Sequence, residues 1–395
     1  MIFPIKRFNL KKPAEKVWPV LILVFSALSG SVVAAQDPAA GLLAAKLTPE
    51  VQKMLNSGKI PSAALALVKD DRIVWSAGFG YSNVWAKTPA GPDTVYLIGS
   101  IFKTVSTYAL LQQMELGKFR LDDKVNDYLT DFKIRGERSS RPVTFRHLLT
   151  HTSGLPTDFG PHPIWSEEAP PALDEYLAKS LRLQRPTLTR VIYSNIAYTL
   201  IAYLVEKMSG LPFKTYIQDQ IFKPLGQRNT AFEPRPDMVE RLAIPYMYNR
   251  WSRKYAAVEL KKADVWPAGM VYGTVQDLAA WLILNLNRGE FKGSRLISEA
   301  SFRLMMTRQY EQFNQQLVGG WLNKTSCYGL TWCLSELNGE TLFAHSGSIN
   351  GYTGFLVGNL DRKTGFVVLT NGHQAHAHLY KLALKALDAL ETATR

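Results

Sequence analysis

Strand-like segments at both ends of this chain enclose a middle that is mainly helical, and that order restricts the fold more than any other feature. Near the start, residues 63–69 and 72–77 are β-rich arms joined by Asp70-Asp71, the pattern of a hairpin. Short strands return late, over 328–334, 341–345, 352–358 and 365–370. Between them, from about Ser100 to Asn287, the spacing of apolar residues predicts helices. These cover 101–116 closed by Gly117, 195–208 closed by Gly210, and 274–286 opened by the capping pair Thr274 and Asp277. Two further helices are predicted at 47–57 and 376–393, the second with Leu379, Leu382, Leu387 and Leu390 on one face. Strands so far apart in the chain bury their apolar faces most economically together. The predicted fold is therefore α/β (α+β): one antiparallel sheet built from both chain ends, flanked by the terminal helices, with a helical unit over about 100–287 inserted. A catalytic cleft then falls at the seam.

The N-terminus is predicted to be an export signal over 1–35, leaving 36–395 as the folded part. Lys6, Arg7, Lys11, Lys12 and Lys16 precede an uncharged apolar run from Val17 to Val33, and Val33-Ala34-Ala35 offers small residues for cleavage. The long basic region and Pro19 fit an uncleaved membrane anchor as well. Export makes the periplasm the expected location. The chain carries a net charge of +13, but its basic residues are scattered, with no recognition helix, zinc spacing or stacking motif beside the densest group. Nucleic acid is not an expected partner. The only cysteines, Cys327 and Cys333, fall within one predicted strand, about 20 Å apart and out of bridging reach, which makes them buried free thiols.

Ser100 stands where an extended stretch meets a helix, in Gly99-Ser100-Ile101-Phe102-Lys103. Residues three apart on a helix share a face, so Ser100 and Lys103 can touch. The helix is apolar on most sides, so it is buried, and burial is what makes a lysine neutral enough to take a serine proton. Alone, Ser-x-x-Lys fits a helix cap equally well. Three further segments change that balance: Tyr193-Ser194-Asn195 at the head of another helix, His345-Ser346-Gly347-Ser348 at a strand end, and the stretch from Arg146 to Pro156 that contains His147 and His151.

Together with Trp266-Pro267-Ala268-Gly269-Met270, these segments resemble the serine penicillin-recognising family, from about Pro61 to Gly372. That family includes class C β-lactamases, D-alanyl-D-alanine carboxypeptidases and related esterases. The resemblance implies that Ser100 is a nucleophile forming an acyl-enzyme, with Lys103 and Tyr193 sharing proton transfer and either of them the base. It implies an oxyanion hole from the backbone N–H groups of Ser100 and Ser348 in the Gly347-Ser348 segment. Asn195 would hold a substrate amide and orient Lys103. His345 would lie near Tyr193 or meet a substrate carboxylate. Three departures stand out: His345 where many β-lactamases carry lysine, a bulky Phe102 between nucleophile and lysine, and no Pro-Gly turn in 185–190.

His147 and His151 lie four apart, and His373, His376 and His378 cluster, yet neither group has an acidic partner at ligand spacing. No metal or cofactor is expected. The 156–171 loop, with Trp165, Glu167 and Glu168, has the length of an active-site wall or of a surface excursion. The expected activity is that of an exported serine hydrolase acting on an amide or ester, a D-amino-acid peptide or carboxylic ester, with peptidoglycan among its expected partners. A class C-like β-lactamase is the alternative within the same chemistry. A non-catalytic penicillin-binding or envelope-interaction protein is the alternative outside it.

Overall fold

The computed structural model describes residues 32–33, 38–158, 165–166, 168–310, 327–373 and 375–394. The predicted export segment apart from Val32–Val33, and the 159–164 part of the proline-rich loop, lie outside them.

The first arms do form a hairpin, Ser62–Lys69 with Arg72–Asn83, longer than predicted because the second arm continues past Ala77. From the far end of the chain, Thr364–Thr370 lies antiparallel to Ser62–Lys69, with Val367 opposite Ala66. Tyr352–Asn359, Glu340–Ile349, Cys333–Leu337 and Cys327–Tyr328 follow in order, all antiparallel. On the other side Arg72–Asn83 pairs with Val32–Val33 and with Thr88–Pro89, which completes a sheet of nine strands among the described residues. Both chain ends thus meet at its centre, as expected.

Strand alternation divides the core. Ala63, Leu65 and Leu67, with Phe366 and Val368, face one way, and the helices Ala40–Gly58 and His376–Ala393 cover them. Ala64, Ala66 and Val68, with Val367 and Leu369, face the other way, into the cluster that holds the helices Val275–Leu286, Phe102–Glu115 and Asn195–Ser209. Both faces are dry, so a period-two strand here reads as a nearly continuous apolar run.

The middle section is less purely helical than predicted. It also holds short antiparallel pairs: Tyr96–Leu97 with Tyr272–Gly273, and Tyr246–Asn249 with Lys254–Ala257. The predicted strand over 328–334 is corrected as well. Thr331 takes a φ of +72° and the chain turns, so Tyr328 pairs with Cys333 and Cys327 with Leu334. The cysteines therefore lie on the two arms of a hairpin, one register step apart, rather than along one strand. Both are buried and neither forms a disulfide, and burial beside Cys327 pushes the Cys333 thiol well up.

Candidate active site

Ser100 sits in a tight turn, Gly99–Ile101, that runs straight into the helix Phe102–Glu115. That helix is buried nearly all round, so its small polar residues turn inward on the backbone: Thr104 Oγ1 donates to Ile101 O (2.7 Å) and Thr107 Oγ1 to Lys103 O (3.0 Å). Phe102, the bulky residue between Ser100 and Lys103, points away from them. It packs edge-on to Phe213 and Phe232, with ring centroids 6.2 and 5.5 Å away. Its size therefore anchors the turn rather than obstructing it.

Lys103 is fully buried. Its Nζ lies 2.9 Å from Ser100 Oγ, 2.8 Å from Asn195 Oδ1 and 2.8 Å from the Ala268 carbonyl. Burial lowers its pKa to about 7, against a smaller opposing pull from Asp158. Asn195 is the first residue of the helix Asn195–Ser209, capped by the Ser194 side chain. Its Nδ2 donates to Asp158 (2.8 Å), so the carboxamide is fixed at both ends.

Tyr193 reaches the same point: its ring centroid lies 4.9 Å from Lys103 Nζ, and its phenol interacts with Ser100. Burial raises this phenol far above its ordinary range, so it is protonated at neutral pH. His151 holds the Tyr193 segment from behind. Its carbonyl accepts from the Ile192 N–H (2.9 Å) and its Nδ1 from the Ser194 N–H (3.1 Å). Its ring lies 4.2 Å from that of Tyr193. The Pro-Gly turn absent from 185–190 is replaced by Leu188, which takes the left-handed conformation itself (φ +57°).

The strand Glu340–Ile349 brings the third segment. A Cβ on Gly347 would fall 2.0 Å from Ile98 O and 3.1 Å from Ser100 N, and one on Gly99 (φ +56°) would fall 2.7 Å from Ser348 N. Two glycines thus let the Ser100 and Ser348 backbones lie side by side, which a side chain at either would prevent. His345 is placed differently from expectation: it lies within the strand, not at its end, and it is buried. Its Nδ1 is 2.7 Å from the Ser346 carbonyl. Burial, aided by Lys103, lowers its pKa to about 3, so it is neutral.

A cavity of about 680 Å³ opens over Ser100, Asn195 and Ser348. Met247, Val258, Val265, Met270 and Ile349 give it apolar walls, with Asn350 and His373 among its polar groups. No lysine or arginine is among its described lining residues, and His345 is not one of them either. Of the predicted site residues, Ser100, Lys103, Tyr193 and Asn195 converge, and Gly347 and Ser348 adjoin them; His345 stands behind. Asp158, Ala268 and His151 acquire partners in the site that sequence spacing did not reveal. Among the described residues no group of histidines, cysteines and carboxylates is arranged to hold a metal.

The Beta-lactamase family profile matches residues 46–390. The chain belongs to the serine β-lactamase-related family. In structure it is similar to the octameric penicillin-binding protein homologue from Pyrococcus abyssi, with a TM-score of 0.74 and 28% identity over 88% of this chain and 77% of that one. In sequence it is 26% identical to Protein flp of Staphylococcus aureus (strain MW2) over 327 residues, 81% of this chain and 61% of the relative. It is also 26% identical to Penicillin-binding protein 4* of Bacillus subtilis (strain 168), over 76% of this chain and 65% of the relative. The chain thus spans less than two thirds of the length of Protein flp and of Penicillin-binding protein 4*.

Proposed function

We propose that this member of the family is an exported serine hydrolase that acts through an acyl-enzyme on Ser100. The observation that carries the reading is the buried Lys103 Nζ, shared between Ser100 Oγ, Asn195 Oδ1 and the Ala268 carbonyl. A neutral amine there donates its two hydrogens to Asn195 and Ala268 and presents its lone pair to the Ser100 hydroxyl. Lys103 is then the base, because Tyr193 is protonated and has no lone pair of phenolate strength to offer. Tyr193 instead donates, relaying a proton from Lys103 to the leaving group. The adjacent N–H groups of Ser100 and Ser348 stabilise the oxyanion that develops on the attacked carbonyl.

The cavity favours uncharged groups. Its described lining has apolar walls and amides but no fixed cation to meet a carboxylate, and the neutral His345 supplies none. Carboxylic esters and D-amino-acid peptides presented without a free carboxylate at this point should therefore turn over faster than penicillins.

The decisive experiment is labelling with a fluorophosphonate or a fluorescent penicillin, with the adduct located by mass spectrometry. The adduct is expected on Ser100 and absent from Ser100→Ala. An adduct on another serine overturns the assignment, and no adduct with either reagent favours a non-catalytic binding protein. Nitrocefin hydrolysis at about 10⁷ M⁻¹s⁻¹ or faster would replace the ester or peptide reading by that of a β-lactamase.

A further inference from the structure

Two turns beside the cleft are built alike. Asn83 Oδ1 accepts the backbone N–H groups of Trp85 (3.1 Å) and Ala86 (3.0 Å). Asn249 Oδ1 accepts those of Trp251 (2.9 Å) and Ser252 (3.0 Å) in the same pattern. Each turn then passes through a basic residue in the left-handed region, Lys87 at φ +54° and Arg253 at φ +53°. The result in both cases is a tryptophan held out into water, 63% exposed at Trp85 and 97% at Trp251.

The turns are tied together at Tyr246, the first residue of the hairpin that carries Trp251. The Val84 N–H donates to its hydroxyl (3.0 Å), and its ring meets Trp85 edge-on at 5.4 Å. A four-residue arm puts the hairpin tip roughly 13 Å beyond Tyr246. Around the two indoles stand Lys87, Arg250, Arg253 and Lys254, all exposed. The segments 80–92 and 246–258 contain no acidic residue.

Folding buries indoles where it can, so two rigid turns that hold them outward indicate a contact outside the molecule. Side-chain caps fix the turns beforehand, which lowers the entropy lost on docking. Trp251 stands at the tip of its hairpin, and both indoles are open to water rather than set in a groove. A sugar strand or a folded partner would need a concave or flat complement, whereas a deformable surface accepts tips directly. Tryptophan flanked by arginine and lysine is the pattern that seats at lipid headgroup level.

We propose that the turns at Trp85 and Trp251 form a docking face for an anionic lipid bilayer, with both indoles among the headgroups and Lys87, Arg250, Arg253 and Lys254 against their negative charge. The hairpin also contributes Met247 and Val258 to the cavity wall. Docking therefore holds the cavity close to the lipid surface, whatever reaction it performs.

The test compares flotation of the full chain with phosphatidylglycerol vesicles and with phosphatidylcholine vesicles. Every variant keeps the N-terminal segment, so its contribution to binding is common to all. Trp251→Ala and the double variant Arg250→Glu/Arg253→Glu should each bind phosphatidylglycerol about tenfold more weakly, with an unchanged circular dichroism melt. Brominated phosphatidylglycerol should quench more fluorescence in the parent than in Trp251→Phe. Equal vesicle binding by the parent and both variants overturns the proposal. So does Trp251-dependent sedimentation with purified peptidoglycan in the absence of any vesicle effect, which would assign the face to a glycan.

Discussion

At the scale of single residues the site turns on one amine. With Lys103 at about 7, the neutral form needed to accept the Ser100 proton is gained as pH rises through 7. Hence kcat/KM for an uncharged ester should rise tenfold per pH unit below about 7 and level off above it, with no alkaline decline until Tyr193 ionises well beyond its usual range. Lys103→Met should cost about 10²–10⁴-fold in acylation rate, measured with the same ester. A pH profile flat from 5.5 to 9 would remove Lys103 from the base role. The contact of Ser100 with Lys103 was legible from three-residue spacing on a helix. The convergence of Tyr193 and Asn195 on them came only through the resemblance to a known family, since no spacing connects segments so far apart in the chain. The place of His345 was not legible, since a strand residue's face depends on register, and the register here is set by Leu356 opposite it. Nor could any local pattern have connected Lys103 to the Ala268 carbonyl or Asn195 to Asp158.

At the scale of elements, the Ser100 turn is held by what packs beneath it. Phe102 is fully buried among Phe213, Phe222 and Phe232, so Phe102→Ala should destabilise the protein by about 3–5 kcal/mol, read from denaturant unfolding. Gly347→Ala acts elsewhere. Its Cβ would collide with the Ile98 carbonyl, pushing the Glu340–Ile349 strand from the Ser100 turn. Acylation should fall much more than stability, as a labelling rate set beside a melting curve will show. The long helices were legible because their caps and stops coincide with their apolar period, as at Thr274 and Gly210. The Cys327–Cys333 stretch misled because Tyr-Gly-Leu-Thr-Trp is β-rich throughout; its turn depends on Thr331 adopting a conformation that its side chain does not favour. The Tyr246–Ala257 hairpin was missed for a related reason: its arms are short and mostly solvated, so no apolar alternation marks them.

At the scale of the whole molecule, buried neutral histidines link the fold to acidity. Burial lowers His147 to about 4 and His345 to about 3. In the unfolded chain both titrate near 6.5. Between these limits the unfolded state binds more protons, so stability falls as pH falls below 6.5 and the loss is complete once the folded values are passed. Each contributes about 1.4 kcal/mol per pH unit across its window. Urea midpoints measured from pH 7 to pH 4.5 should decline accordingly, and His147→Gln should make the decline shallower. The joining of the two ends at the sheet centre has a consequence of another kind. Ser62–Lys69 pairs on its inner side with Thr364–Thr370, so the whole stretch between them must be synthesised before the middle of the sheet can close. On the export route proposed above, the sheet therefore cannot close until Thr364–Thr370 has crossed the channel.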